Sequence, residues 1–243
     1  IQNNHALCME SVLIQTHMLM AARDNGVSEI LYSSSACVYP VEAQSEIKDA
    51  QAQGLKEKHA YPANPEDGYG WEKLFSEIIT QYFDKDFGID HRICRFHNVY
   101  GPYGTWKGGR EKAPAALCRK IIKAKRNGNH VIEVWGDGEQ TRSFLYINDC
   151  ITGMEKIWSS GYKKPLNLGS SEMVSVNQLI DIISGIAGIT VAREYNLTKP
   201  QGVRGRNSDN TLIKEITGWQ PSISLQKGLE KTYDWIKNEI EKK

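Results

Sequence analysis

The sequence predicts an α/β fold with a mostly parallel sheet, and three observations predict it. Short apolar runs such as 30–33 and 92–96 alternate with longer stretches whose apolar residues recur at helical spacing. Gly26, Gly101-Pro102 and Gly136-Asp137-Gly138 punctuate the change from one kind of run to the next. With 40% apolar and 24% charged residues, the 243-residue chain is ordinary for a globular protein and holds a core of normal size in one domain or two.

Taken in order, residues 8–25 read as a helix stopped by Gly26, a residue suited to the left-handed position past a helix end. Residues 30–33 form a strand, 68–87 a long helix, and 92–96 a second strand running out at His97-Asn98. After Gly101-Pro102 the character changes. A helix over 111–125, a short strand over 131–135 and a turn at 136–138 lead into an extended run over 142–147. Asn148-Asp149 then caps a helix reaching 159. Ser175 and Gln178 have capping-box spacing, and Val176, Leu179, Ile180 and Ile183 behind them repeat at helical intervals as core packing. The last helix, 225–240, carries Leu225, Leu229, Tyr233, Ile236 and Ile240 on one stripe and forms a terminal cover.

Composition narrows the partner. A net charge of +1 gives no electrostatic footprint for nucleic acid or an anionic membrane, so a small-molecule partner is expected and phosphate binding must come from local arginines and lysines. No stretch approaches the roughly 20 apolar residues of a membrane span. The five cysteines (Cys8, Cys37, Cys94, Cys118 and Cys150) are odd in number and lack a Cys-x-x-Cys pair, which argues against a disulfide framework and a zinc site. No metal is expected, and a reducing, cytoplasmic setting fits best.

The chemistry-bearing feature is a pair of segments. Ser33-Ser34-Ser35-Ala36-Cys37-Val38-Tyr39-Pro40 reads as a strand ending in hydroxyls, and Tyr69-Gly70-Trp71-Glu72-Lys73 places a phenol and an ammonium on one helix face. A nearby cation favours the phenolate, so Lys73 is expected to lower the Tyr69 phenol and let it act as a base near neutrality. Ser35 would hold a substrate hydroxyl for it.

These two segments resemble the extended short-chain dehydrogenase/reductase family, the NAD-dependent epimerases and dehydratases. The resemblance implies a partial Rossmann-type doubly wound parallel sheet with a smaller C-terminal α/β substrate domain, and NAD as cofactor. Ser35, Tyr69 and Lys73 would form the catalytic triad, with Tyr69, Lys73 and Phe96 holding the nicotinamide end. The expected division is 1–100, carrying the triad, and 101–243, mainly substrate-binding, with some segments returning to the first domain. A dinucleotide fold normally opens with a strand, a glycine-rich turn and a helix. Gly108-Gly109, Gly136-x-Gly138 and Gly202-x-x-Gly205 lie late in the chain, so the expectation is the C-terminal two-thirds of a longer enzyme that alone binds NAD weakly.

Within that family, four ordered blocks resemble the 3,5-epimerases of sugar nucleotides. They are Arg95-Phe96-His97-Asn98-Val99-Tyr100-Gly101-Pro102, the run Gly104 through Pro114, the run Trp135 through Phe144, and Gly202 through Asp209. The resemblance implies a GDP-sugar substrate, converted from GDP-D-mannose to GDP-L-galactose and GDP-L-gulose through a 4-keto intermediate. Cys37 and Lys112 match the acid/base pair that would exchange protons at C3 and C5. Asn98, Glu111, Lys112, Lys120, Gln140, Arg142 and Arg206 would line the cleft beside Ser35 and Cys37, with Arg142 and Arg206 suited to a diphosphate. It also implies a homodimer through helices 8–25 and 68–87.

Each residue has a plainer alternative. Cys37 could be a buried filler like the other four cysteines, although two residues beyond Ser35 it faces the same way if the chain stays extended. Lys112 lies in a charged run at a helix start. His97 more readily shapes the nicotinamide pocket than serves as a base, and Trp135 either stacks on guanine or, the preferred reading, closes the small domain's core. Rival functions are another NAD-dependent sugar-nucleotide epimerase, a 4,6-dehydratase, or a truncated relic that binds without catalysis.

Overall fold

Helices end where glycine can take the left-handed conformation: Gly88, Gly128, Gly161, Gly188 and Gly218 all stand as C-caps at positive φ. The computed structural model describes residues 4–45, 54–199 and 202–242. In chain order these form α1 (His5–Met9), α2 (Ser11–Asp24), β1 (Glu29–Ser35), α3 (Glu42–Ser45), α4 (Gly68–Phe87), β2 (Asp90–Phe96), β3 (Val99–Tyr100), α5 (Ala113–Asn127), β4 (Val131–Trp135), β5 (Thr141–Ser143) and β6 (Leu145–Tyr146). There follow α6 (Ile147–Ser160), β7 (Leu166–Leu168), β8 (Met173–Ser175), α7 (Val176–Ala187), β9 (Ala192–Asn196), β10 (Gly205–Arg206), α8 (Thr211–Thr217) and α9 (Leu225–Glu241).

The first sheet is parallel, in the order β1-β2-β7, with Ser35 opposite Phe96 and Phe96 opposite Leu168. Its middle strand is buried from His91 through Arg95, as a strand covered on both faces must be. Helix α4 packs against β1 and β2, while α6 packs against β2 and β7, so the sheet lies between helices. Cys94, Leu145, Ile157, Leu166, Leu168 and Ile213 fill one side. The other half is built around α5, α7 and α9, whose Ile121, Leu179, Ile180, Ile183, Leu229 and Ile236 share a second, larger core. Small sheets β10-β5-β8 and β4-β9 flank it.

Several elements differ from the sequence reading. Residues 8–25 are two helices, because Leu13 N–H bonds Glu10 only three residues back and tightens the chain there. The helix expected from 111 starts at Ala113 with Pro114 in its first turn, where a missing N–H costs no hydrogen bond. The extended run splits at Phe144 as the chain changes partner, β5 pairing with β8 and β10 and β6 pairing with β3. Asn148 and Asp149 do not cap α6. Tyr146 is its N-cap, and the Asp149 carboxylate accepts from the amides of Ser222 and Ile223 and from the Ser222 hydroxyl.

Candidate active site

The site is set by the end of β1 and the start of α4. Asp67 caps α4 by accepting from Gly70 N–H at 2.9 Å. A Cβ on Gly70 would lie 2.3 Å from the Cys37 carbonyl oxygen, so glycine is what lets α4 approach the turn after β1. Ser35 closes β1 and caps a single 3-10 turn, Ala36–Val38, its hydroxyl accepting from Cys37 N–H at 3.2 Å. The chain therefore coils after Ser35, and the expectation that Cys37 faces the same way by staying extended fails. Cys37 reaches the site through the turn.

The Ser35 hydroxyl neighbours that of Tyr69. Burial pushes the Tyr69 phenol up, the neighbouring Ser35 hydroxyl opposes the rise, and the Cys37 and Glu72 charges add to it. The expected lowering by Lys73 is not what the geometry delivers. The Lys73 ammonium lies 5.1 Å from the Tyr32 ring centroid and 5.7 Å from that of Tyr69, over ring faces, and only 3.6 Å from a Glu72 carboxylate oxygen. Its charge is shared with a buried acid one residue away.

A second contact closes the site from a distant segment. Arg206 donates from Nη1 to Cys37 Sγ at 3.4 Å and from Nε to Gln44 Oε1. Arg142 stands opposite Arg206 in the β5-β10 ladder. Burial, followed by the Arg206 charge, pushes the Arg142 guanidinium down to about 10, against the opposing pull of Glu66 and Cys37. Two guanidinium groups and a thiol are thus gathered beside Ser35 and Tyr69. Asn98 takes φ 44°, a left-handed conformation asparagine tolerates, and donates to the Ser143 carbonyl at 3.0 Å.

Glu111, Lys120 and Gln140 form a separate group, lining a cavity of about 830 Å³ with Trp106, Trp135 and Lys123. Burial raises the Glu111 carboxyl, but hydrogen bonds from its own amide, from Arg119 and from Gly109 N–H outweigh it and hold it low. Lys120 is lowered by burial and donates to the Glu133 carbonyl at 2.7 Å. Gln140 donates to the Trp135 carbonyl at 3.0 Å, and its buried Oε1 finds no partner among the described residues. Lys112 is the exposed N-cap residue of α5, and no hydrogen bond joins its ammonium to Cys37. Trp135 is 49% exposed, so its reading as core is wrong: alternation along β4 turns Ile132 and Val134 inward and the tryptophan out.

Three buried groups escaped the sequence reading. Arg95 bonds Glu77 through two parallel contacts, and Ser34 bonds the same carboxylate. Glu77 falls eight residues after Tyr69, two helical turns along, and that spacing was available as a signal. Asn167 Oδ1 accepts from Tyr39 at 2.5 Å and lies 3.0 Å from His97 Nε2. Because that oxygen only accepts, His97 carries its proton on Nε2. Burial pushes His97 down to about 3, so it is neutral. Gln44, the third, carried no signal in its polar surroundings. Among the described residues no group of three or more His, Cys, Asp or Glu gathers to hold a metal ion.

A parallel sheet whose strand β1 ends in Ser35, with Tyr69 and Lys73 one turn apart on α4, defines an α/β protein of the short-chain dehydrogenase/reductase kind. The sequence model of the NAD dependent epimerase/dehydratase family matches residues 1–169, and the chain belongs to that family. It is 49% identical over its whole length to GDP-mannose 3,5-epimerase 1 of Oryza sativa subsp. indica, covering 62% of that protein, and 48% identical to GDP-mannose 3,5-epimerase of Arabidopsis thaliana, also covering 62%. Among solved structures, UDP-glucose 4-epimerase of Thermotoga maritima superimposes with a TM-score of 0.83 at 23% identity, over 98% of this chain and 73% of that one. UDP-glucuronic acid 4-epimerase of Bacillus cereus, solved with UDP-glucuronic acid and NAD, gives 0.75 at 24% identity, over 93% of this chain and 67% of that one. Both carry the same fold.

Proposed function

We propose that the chain carries the catalytic and substrate-binding parts of a GDP-mannose 3,5-epimerase, turning GDP-D-mannose into GDP-L-galactose and GDP-L-gulose through a 4-keto intermediate. The carrying observation is the Cys37 thiol beside the Ser35–Tyr69 pair, gripped by Arg206. Inverting C4 needs only a group to take and return the C4 hydroxyl proton. Inverting C3 and C5 needs a further proton donor and acceptor, and a thiol exchanges protons near neutrality.

NAD fits the residues present: the Tyr69 hydroxyl and Lys73 ammonium, one helical turn apart, match a ribose diol, and Phe96 lies across the ladder from Ser35. When bound, NAD oxidises C4 to the ketone and later reduces it back. Ser35 holds the C4 oxygen and Tyr69 accepts its proton, with Lys73 one helical turn on holding the nicotinamide ribose. The 4-ketone makes the C3 and C5 protons acidic. Cys37 on one face of the sugar and Lys112 on the other exchange them. Arg142 and Arg206 take the diphosphate, and Asn98, Glu111, Lys120 and Gln140 line the cleft, the tryptophan-walled cavity receiving the nucleotide.

The same proposal includes a division near residue 100, NAD-binding before and mainly substrate-binding after. It also includes a homodimer across α2 and α4, supported by Leu13, Ile14, Met18 and Phe75, which are 57%, 66%, 64% and 49% exposed. Buried free thiols at Cys94, Cys118 and Cys150 support a reducing, cytoplasmic setting. No described helix is long and apolar enough to cross a membrane.

Incubation with GDP-D-mannose and NAD, followed by sugar analysis, tests the proposal. GDP-L-galactose and GDP-L-gulose are expected. Product inverted only at C4, or a 6-deoxy-4-keto sugar, would assign the chain to a 4-epimerase or a dehydratase instead.

A further inference from the structure

Gln44 is 0% exposed although α3 is a short polar helix. Its Nε2 donates to the carbonyls of Tyr39 at 2.8 Å and Pro40 at 3.2 Å, and its Oε1 accepts from Arg206 Nε. Carbonyls take only donors and a guanidinium takes only acceptors, so these three partners fix which way the amide points. Tyr39 and Pro40 directly follow the turn that carries Cys37, whereas Arg206 arrives from β10, 169 residues beyond Cys37. Arg206 also faces the like charge of Arg142 across the ladder. An arginine that was not held there would gain entropy and hydration by swinging away.

We propose that Gln44 is a positioning residue, clamping Arg206 Nε so that Nη1 is aimed at Cys37. The charge presented at the thiol is then set by a buried amide on the Cys37 side of the site. This inference rests on the epimerase reading only in taking Cys37 as the group that meets the sugar. The clamp itself is a matter of geometry.

The test is the ratio of alkylation rates at Cys37 by anionic iodoacetate and neutral iodoacetamide at low salt, read on the Cys37 peptide by mass spectrometry. The fraction of thiolate cancels in that ratio, and the Cys8 peptide of the same sample gives a reference. A held guanidinium is expected to favour iodoacetate at Cys37 about fivefold over Cys8, the effect of one unit charge at roughly 4 Å in water. Gln44→Met should bring the ratio down toward the Cys8 value, leaving only what the Arg142 charge contributes. Gln44→Ala, which also removes the acceptor for Nε while leaving Arg206 intact, should lower the ratio as far, and it decides the matter if Gln44→Met does not fold. A wild-type ratio in either folded variant, even with a changed melting temperature, would overturn the proposal. No substrate or cofactor enters the measurement, so its failure would leave the epimerase reading standing.

Discussion

The Glu77 carboxylate and the Arg95 guanidinium meet at 2.8 and 2.7 Å in a bidentate pair, both side chains nearly sealed from solvent. This pair fastens α4, which carries Tyr69 and Lys73, to β2, which ends at Phe96. Glu77 also receives the Ser34 hydroxyl. Helix α4 and the sheet therefore share one buried charge network.

Removing one partner of such a pair strands the other charge. Glu77→Gln should cost about 3–5 kcal/mol, measured by urea unfolding, whereas Glu77→Leu with Arg95→Leu should cost much less because no charge is left unpaired. A loss under about 1 kcal/mol for Glu77→Gln would mean the pair is not sealed as described.

His97 makes stability depend on pH. Held neutral down to about 3 in the fold, against an ordinary 6.5, it leaves the unfolded chain binding the extra proton between those values. Stability should therefore be unaffected by His97 above pH 6.5 and fall as pH drops below it, by about 2 kcal/mol near pH 5. Urea midpoints of wild type and His97→Gln, whose amide can still donate to Asn167, should diverge in acid and run parallel above neutrality. Parallel behaviour throughout would contradict the burial of the neutral ring.

Glu72 restrains ionisation of the Tyr69 phenol. Its carboxylate raises the phenol and shares the Lys73 charge, so Glu72→Gln should shift Tyr69 ionisation to lower pH. Difference absorbance of tyrosinate, with Tyr69→Phe subtracted, reads that titration directly. An unmoved or raised titration would show that Lys73 is not governed by its neighbour.

Much of this was legible in the sequence. The helix expected over 68–87 forms with those bounds, Asp67 capping its start and Gly88 its end, and the capping box at Ser175 and Gln178 forms as spaced. The strands β7, β8 and β10, only two or three residues long, were not legible, since so short a run has no periodicity and is held by its sheet partners. In the site, Ser35, Tyr69 and Lys73 come from neighbouring segments and their proximity follows from local geometry. The Arg206 contact with Cys37 and the Gln44 clamp depend on packing between distant segments. The Lys73 effect was misjudged because the sequence places an ammonium near a phenol but does not say that Glu72 shares its charge.

Under the proposed function, protons exchange at C3 and C5 of the sugar and Cys37 is one of the groups exchanging them. Deuterium uptake into GDP-D-mannose, recovered from D2O with the protein and NAD and located by NMR, tests it most directly. Deuterium is expected at C3 and C5 with wild type and is expected to be lost with Cys37→Ala, while the variant still binds the nucleotide sugar. Undiminished uptake in Cys37→Ala, or wild type that labels neither carbon, would contradict it.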